Sequence, residues 1–200
     1  MASDSRERMV RSAASLISSR GVSATSFSDV LGDSGAPRGS IYHHFPEGKQ
    51  QLATEAVRWT SDRVIAHLRA GTGTTPSEVL ERFINMWRQV VLASGGASGC
   101  VVAGVALDSE ADVEGESLID VAREAFHSWV EVLADQLARA GVPARRATAI
   151  AMTTLAGMEG ALILCRAERS VRPLDETAAE LMRLLPNGAG ADRSPEPYST

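Results

Sequence analysis

The stretch Thr25 to Leu52, TSFSDVLGDSGAPRGSIYHHFPEGKQQL, decides how the rest of the chain is read. Thr25 or Ser26 can cap a short helix carrying Phe27, Val30 and Leu31. Gly35-Ala36-Pro37 breaks that helix, and Pro37 suits the first position of the next one. This next helix spans about Arg38 to Phe45 and stops at Pro46-Glu47-Gly48. Short helix, tight turn and second short helix match the helix-turn-helix plan, whose second helix enters the major groove. At about 100° per residue, Ile41 and Phe45 define an inward face, with Phe27, Val30, Leu31 and Leu52 available as partners. Gly39, Ser40 and His43 point roughly opposite, and Tyr42 and His44 lie on the flanks. Arg38 sits in the first turn, where its long side chain could reach a guanine edge or a phosphate. Thr25 and Ser26 place hydroxyls and helix-start amides where a phosphate could dock. Lys49 opens the fourth helix and offers another phosphate contact.

A plainer reading stands beside this one: two packed core helices would show the same pattern, and Tyr42 could simply close their hydrophobic edge. A metal pair at His43-His44 is not expected. Adjacent helical residues point about 100° apart, and no third ligand is near in sequence.

Outward from this stretch the signals are helical. Met9, Ala13, Leu16 and Ile17 recur behind a candidate cap at Ser3 or Ser5, and Gly21 closes the segment. A fourth helix runs from Lys49 through Leu52, Ala56, Trp59, Val64 and Leu68 to Gly71. Thr75-Pro76-Ser77-Glu78 opens a fifth, through Val79, Leu80, Phe83, Trp87, Val90 and Val91 to Gly95-Gly96. Cys100 to Leu107 is an apolar run that periodicity alone cannot assign; it is read as helix because its neighbours are helical. Val113 to Ala140, Ala144 to Arg169 and Leu174 to Leu185 complete the set. Residues 187–200, rich in Gly, Pro, Ser and Asp, are expected to be a disordered tail. The expected fold is all-α: an N-terminal three-helix domain over 1–49 and a larger helical bundle over 50–186.

Composition narrows the function. Of 200 residues, 44% are hydrophobic and 22% charged, as in ordinary soluble proteins. The net charge of −5 argues against a chain that coats nucleic acid over its whole surface. Residues 1–49 carry six basic and five acidic side chains, so the remainder holds a balance of −6. Two cysteines, Cys100 and Cys165, build no disulfide framework. No apolar run approaches the roughly 18 residues of a membrane span, and the charged N-terminus is not a secretory signal, so a cytoplasmic protein without a membrane partner is expected. No G-x-S-x-G elbow, H-E-x-x-H, phosphate loop or cysteine-histidine metal spacing is present, so neither an enzyme nor a cofactor is expected.

The segment Arg8 to Leu52, with Gly21, Thr25, Ser34-Gly35-Ala36-Pro37 and above all Gly39-Ser40-Ile41-Tyr42-His43-His44-Phe45-Pro46, resembles the DNA-binding domain of TetR-family transcriptional regulators. The family pattern there reads roughly G-x-L-Y-x-H-F, kept here with Ile for Leu. Between Phe45 and Leu52 the chain is one residue longer than the common form. With Gly99-Cys100-Val101-Val102-Ala103, this is similar to the LmrA/YxaF-type branch, associated with repression of multidrug-efflux operons. Gly32 departs from the family's better helix formers and should weaken its helix by up to ~1 kcal/mol relative to Ala. The resemblance implies phosphate contacts from Thr25 or Ser26, Tyr42, His43 or His44, and Lys49. It implies base contacts from Arg38, Gly39, Ser40 and His43, and a homodimer on a near-palindromic double-stranded DNA operator.

In the larger half, Phe83, Met86, Trp87, Phe126, Trp129, Met152, Met158 and Cys165 recur at core-like spacing. They could simply fill a helical core, or line a cavity for a small apolar or amphipathic molecule; Phe83, Trp87, Phe126, Trp129 and Met158 are the candidate lining residues. Asp108, Glu110, His127 and Glu159 are candidate polar groups, with no inward direction readable. The resemblance implies an inducer site here. Ala147 to Cys165, dense in Ala and Gly, suits a dimer interface and equally a buried helix. Cys100 has no basic neighbour in sequence to make it a redox sensor, and reads as a small core residue. The alternative to a ligand-responsive repressor is a helical small-molecule-binding protein without operator binding.

Overall fold

The computed structural model describes residues 2–71, 73–108 and 117–186, and the tail expected from Asn187 lies outside them. Nine helices and no strand occur among the described residues: α1 (Ala2–Arg20), α2 (Phe27–Ser34), α3 (Ser40–His44), α4 (Lys49–Arg69), α5 (Pro76–Ser94), α6 (Val101–Asp108), α7 (Leu118–Arg139), α8 (Ala144–Glu168) and α9 (Arg172–Met182).

The helix starts follow their capping chemistry. Ser26, not Thr25, caps α2, in a reciprocal box with Asp29. Thr75 and Glu78 make the same box at α5, with Pro76 in its first turn. Gly35 ends α2 at φ 63°, a left-handed conformation in which a Cβ would be strained. Boundaries differ from the sequence reading at four helices, one of them α9, which runs Arg172–Met182 where Leu174 to Leu185 is expected. α1 already runs at Ala2, so Ser5 lies inside it and Asp4 occupies the first turn, where a carboxylate suits the helix dipole. α3 is regular only from Ser40, although the Ser40 amide bonding the Pro37 carbonyl at 2.9 Å begins the turn earlier. α7 starts at Leu118 behind the Ser117 cap, and residues 113–116 of the expected longer helix are outside the described set.

Helices α1 to α3 form a small head whose core is Met9, Ala13, Ile17, Val30, Ile41 and Phe45, all at most 3% exposed. Helix α4 packs against α1 on one side and α7 on the other, so it joins head to body. The buried Trp129 indole donates to Ser61 Oγ at 3.1 Å and Gln136 donates to the Leu68 carbonyl at 2.6 Å, fixing α7 along α4. In the body α7, α8 and α9 pack in sequence, and Arg88 on α5 holds Asp175 on α9 at 2.8 Å.

Two expectations concern α8. One face of it is buried within the chain, through Ile150, Ala151, Thr154, Leu155, Met158 and Leu162, while Met152, Ile163 and Leu164 are about half exposed or more. By length and composition α8 is also apolar enough to cross a membrane, contrary to the expectation that no segment is. Of its most apolar window, 44% is buried inside the protein.

Candidate nucleic-acid interface and effector cleft

Ile41 and Phe45 are fully buried, and this anchors α3 with the rest of its surface outward. Tyr42 is 69% exposed, its ring edge-on to Phe27 of α2 at 5.6 Å, which orients the phenol without covering its hydroxyl. Arg38, Gly39 and His43 are exposed, Ser40 and His44 are half-buried, and no atom lies within 4 Å of where a Gly39 Cβ would stand. The Ser40 hydroxyl donates to the Pro37 carbonyl at 2.6 Å. Beneath α3 the Arg6 guanidinium lies 5.7 Å from the Phe45 ring and pairs with Glu55 at 2.7 Å.

Thr25 differs from the sequence reading. It is buried, and its hydroxyl donates to the Gly21 carbonyl at 2.7 Å, closing the α1–α2 turn. Of the two candidate hydroxyls, Ser26 is therefore the exposed one. Asp29, which completes the Ser26 cap, is held below the usual carboxylate range by the Ser26 hydrogen bonds, with Arg20 adding to them. Lys49 is half-buried and donates to the Ser23 carbonyl at 3.0 Å, so it stands beside the α1–α2 turn at the head's edge.

That turn is also where head and body meet. Asp108, the last residue of α6, accepts a short bond from the Ser23 amide. This bond holds its carboxyl below the usual range, and the Lys49 ammonium nearby adds to the effect. Two glycines bring α6 this close. A Cβ on Gly104 would stand 2.9 Å from the Ile17 carbonyl oxygen, and one on Gly99 3.0 Å from that of Ser18. The Ser23–Asp108 contact has no sequence signal, because nothing in sequence pairs Ser23 with a carboxylate so far along the chain.

The body holds two neighbouring clefts that share Glu159. One, of about 470 Å³, lies between α1, α6 and α8 and is lined by Ile17, Arg20, Cys100, Gly104, Asp108 and Arg166 among others. The other, of about 440 Å³, lies between α6, α7 and α8 and is walled by Ala122, Phe126, Val130, Met152, Leu155 and Ala156, with Arg123, His127 and Glu159 as its charged or titratable residues. Of the five aromatic and sulfur residues considered for a cavity, Phe126 lines this second cleft. Phe83, Trp87, Trp129 and Met158 are at most 3% exposed in the core. There Phe83, Trp87, Trp129 and Phe126 form a chain of ring contacts 5.6 to 6.3 Å apart. Of the polar candidates, Glu159 and His127 reach the cleft, Asp108 joins the head, and Glu110 lies outside the described residues. Burial raises the Glu159 carboxyl to about 7 against an opposing bond from the Cys100 thiol, and Cys100 is itself pushed well above its ordinary value by burial. Among the described residues no three His, Cys, Asp or Glu side chains cluster as metal ligands.

Residues 10–56 match the family model described as bacterial regulatory proteins of the tetR family, and residues 76–180 match the transcriptional regulator LmrA/YxaF-like C-terminal domain. The chain belongs to the TetR family of transcriptional regulators. An HTH-type transcriptional regulator of Mycobacterium tuberculosis is 39% identical to this TetR-family chain, covering 90% of it and 93% of the relative. YxaF of Bacillus subtilis, an HTH-type transcriptional regulator, is 31% identical over 86% of the chain and 90% of its own length, and LmrA of the same organism 30% over 86% and 91%. Among solved structures, a TetR transcriptional regulator from Legionella pneumophila superposes with a TM-score of 0.80 at 22% identity, covering 90% of this chain and 96% of that one. One from Chloroflexus aurantiacus gives 0.72 at 26% identity, over 91% and 94%. The tetR-family match takes in α2, the turn and α3, so the helix-turn-helix reading prevails over two merely packed helices.

Proposed function

We propose that this TetR-family regulator is a cytoplasmic, dimeric repressor that leaves a near-palindromic operator when a small apolar or amphipathic molecule enters its body. The observation that carries the reading is α3 itself: two side chains anchor it, while Arg38, Tyr42 and His43 stay exposed on a helix stub short enough to enter a major groove. In this reading Arg38, Gly39, Ser40 and His43 face base edges, and Ser26, Tyr42, His44 and Lys49 hold phosphates, with Thr25 shaping the turn. Residues 1–49 act as the DNA-binding unit and 50–186 as the effector and pairing unit. The open face of α8, with Ile163 and Leu164 exposed and open space where a Gly160 Cβ would stand, supports pairing of two copies through this helix. The cleft beside Phe126 supports the effector role, and the Asp108–Ser23–Lys49 contact supports coupling to the head. An effector acts only through its tighter binding to the form that does not fit the operator.

The test is fluorescence anisotropy of the purified protein with the DNA upstream of its own gene, across a salt series. Saturable binding, two chains per site and weakening with added salt are expected. Binding no tighter than to random DNA, for this fragment and for sequences enriched by genomic selection, would remove the repressor reading and leave the cleft as the function.

A further inference from the structure

The cleft between α6, α7 and α8 is mostly apolar, and besides the exposed Arg123 and His127 it is lined by Glu159, which stands on the wall shared with the neighbouring cleft. Glu159 Oε1 is buried and has no hydrogen-bond partner in the protein. The Cys100 thiol supplies the hydrogen bond on this carboxyl, and a thiol is a weak donor. Among the described residues no cation is seen paired with it. Arg123 lines the same cleft but is exposed and pairs with Asp120 at 2.9 Å. Arg20 pairs with Asp29 at 3.0 Å, and Arg166 stands exposed on the rim of the neighbouring cleft. His127 lines the mouth and is exposed. A nearby arginine would draw the carboxyl downward, yet burial dominates and Cys100 alone opposes it. An orphaned carboxylate oxygen in an apolar wall is costly unless something brings it a donor or a positive charge.

We infer that the cleft takes a lipophilic amine, with its ammonium on Glu159 Oε1 and its apolar body against Phe126, Val130, Met152 and Leu155. Two features fit this occupant. The volume, about 440 Å³, lies within the range of small-molecule sites. Phe126 already has its edge packed on Trp129, ring centroids 5.6 Å apart, which holds one wall of the cleft rigid. The inference rests on the reading that this cleft is the effector site, and it names the chemistry of the effector.

The test compares 1-naphthylmethylamine with its uncharged counterpart 1-naphthalenemethanol, by calorimetric titration into the full-length protein at pH 8. The amine should bind about tenfold or more tightly than the alcohol, the margin expected when a charge-assisted bond replaces a neutral one. Glu159→Gln, nearly isosteric, should bring the two probes to within about twofold without altering operator binding by the free protein. Phe126→Leu keeps the carboxyl and should weaken both probes alike, leaving their ratio intact; this variant carries the test if Glu159→Gln does not fold. In the operator assay the amine should release DNA from the wild type and not from Glu159→Gln. Equal binding of both probes, or an amine preference that survives Glu159→Gln, overturns the inference. If the alcohol also releases operator, the effector site stands while its cationic chemistry falls. If neither probe binds and Ala156→Trp at the lip splits a dimer in sedimentation, a second copy fills the cleft and the inference is again overturned. Operator binding by the free protein is read separately in each case, so failure of the DNA reading is not confused with failure of the ligand class.

Discussion

Gly32 and Gly104 each sit inside a short helix, and replacing either by alanine removes the same backbone entropy penalty, about 1 kcal/mol in favour of the folded state. Their surroundings set opposite outcomes. Gly32 is exposed on α2, and a Cβ there meets nothing within 4 Å, so Gly32→Ala should stabilise by up to ~1 kcal/mol. On Gly104 the new atom would lie 2.9 Å from the Ile17 carbonyl oxygen and 3.6 Å from its carbonyl carbon. Backbone cannot rotate aside as a side-chain tip can, so α6 must back away from α1. Overpacking of this kind costs about 1 to 3 kcal/mol, which leaves Gly104→Ala neutral to ~2 kcal/mol destabilised after the propensity gain. The assay is urea unfolding followed by circular dichroism, at one protein concentration because dimerisation would shift the midpoint. The Gly32→Ala midpoint should rise and the Gly104→Ala midpoint should fall or stay. Equal gains in both variants would refute the close approach of α6 to α1, and with it the contact between body and head.

Glu159 gives a pH signature. Its carboxyl lies at about 7 in the folded chain, above the roughly 4.3 of an unfolded one, so between these values the folded form binds more protons. Stability is then fullest below about 4.3 and falls as pH rises through about 7, by roughly 4 kcal/mol in all. Glu159→Gln should flatten that decline, and a gap between wild type and variant that stays constant from acid to neutral pH would count against a buried carboxyl. Ser26→Ala should cost about 1 kcal/mol in thermal unfolding through loss of the α2 cap, and should weaken operator binding by more than the stability loss explains. An unchanged melting curve would mean that the capping box contributes nothing. Lys49→Ala should lower the salt dependence of operator binding by about one phosphate contact, whereas Arg38→Ala should relax sequence preference by about 1 to 3 kcal/mol. If both variants changed only the overall affinity, the division into phosphate and base contacts would be wrong.

The helices were legible in sequence because their signals are local. Thr75-Pro76-Ser77-Glu78 is a capping box written in four adjacent letters, and Ile41 with Phe45 shows which side of α3 faces in. The Cys100–Leu107 run became helix as its neighbours suggested, and Cys100 is a buried residue whose thiol burial keeps protonated. What stayed hidden depends on contacts far apart in the chain. Phe126 and Trp129 are three positions apart on one amphipathic helix, yet one lines a cleft and the other fills the core. Helical periodicity is the same for both. Thr25 and Ser26 are adjacent hydroxyls, and only the fold of the α1–α2 turn sends one inward to Gly21. Glu159 was one of four carboxylate or histidine candidates, and its place on the wall between the two clefts came from how α8 packs against α6 and α7.

The way α3 is anchored bears on how such proteins diversify. Its support comes from Ile41 and Phe45, and the exposed Arg38, Gly39 and His43 lie outside that anchor. On the proposed reading, substitutions at those three positions would alter what is recognised while leaving folding nearly untouched. A duplicated gene could acquire a new binding sequence in single steps, each yielding a folded protein, with no compensating change needed in the body. On that reading the same separation would make the head a replaceable cartridge for engineered switches, with recognition rewritten on one face of one helix and the body kept whole.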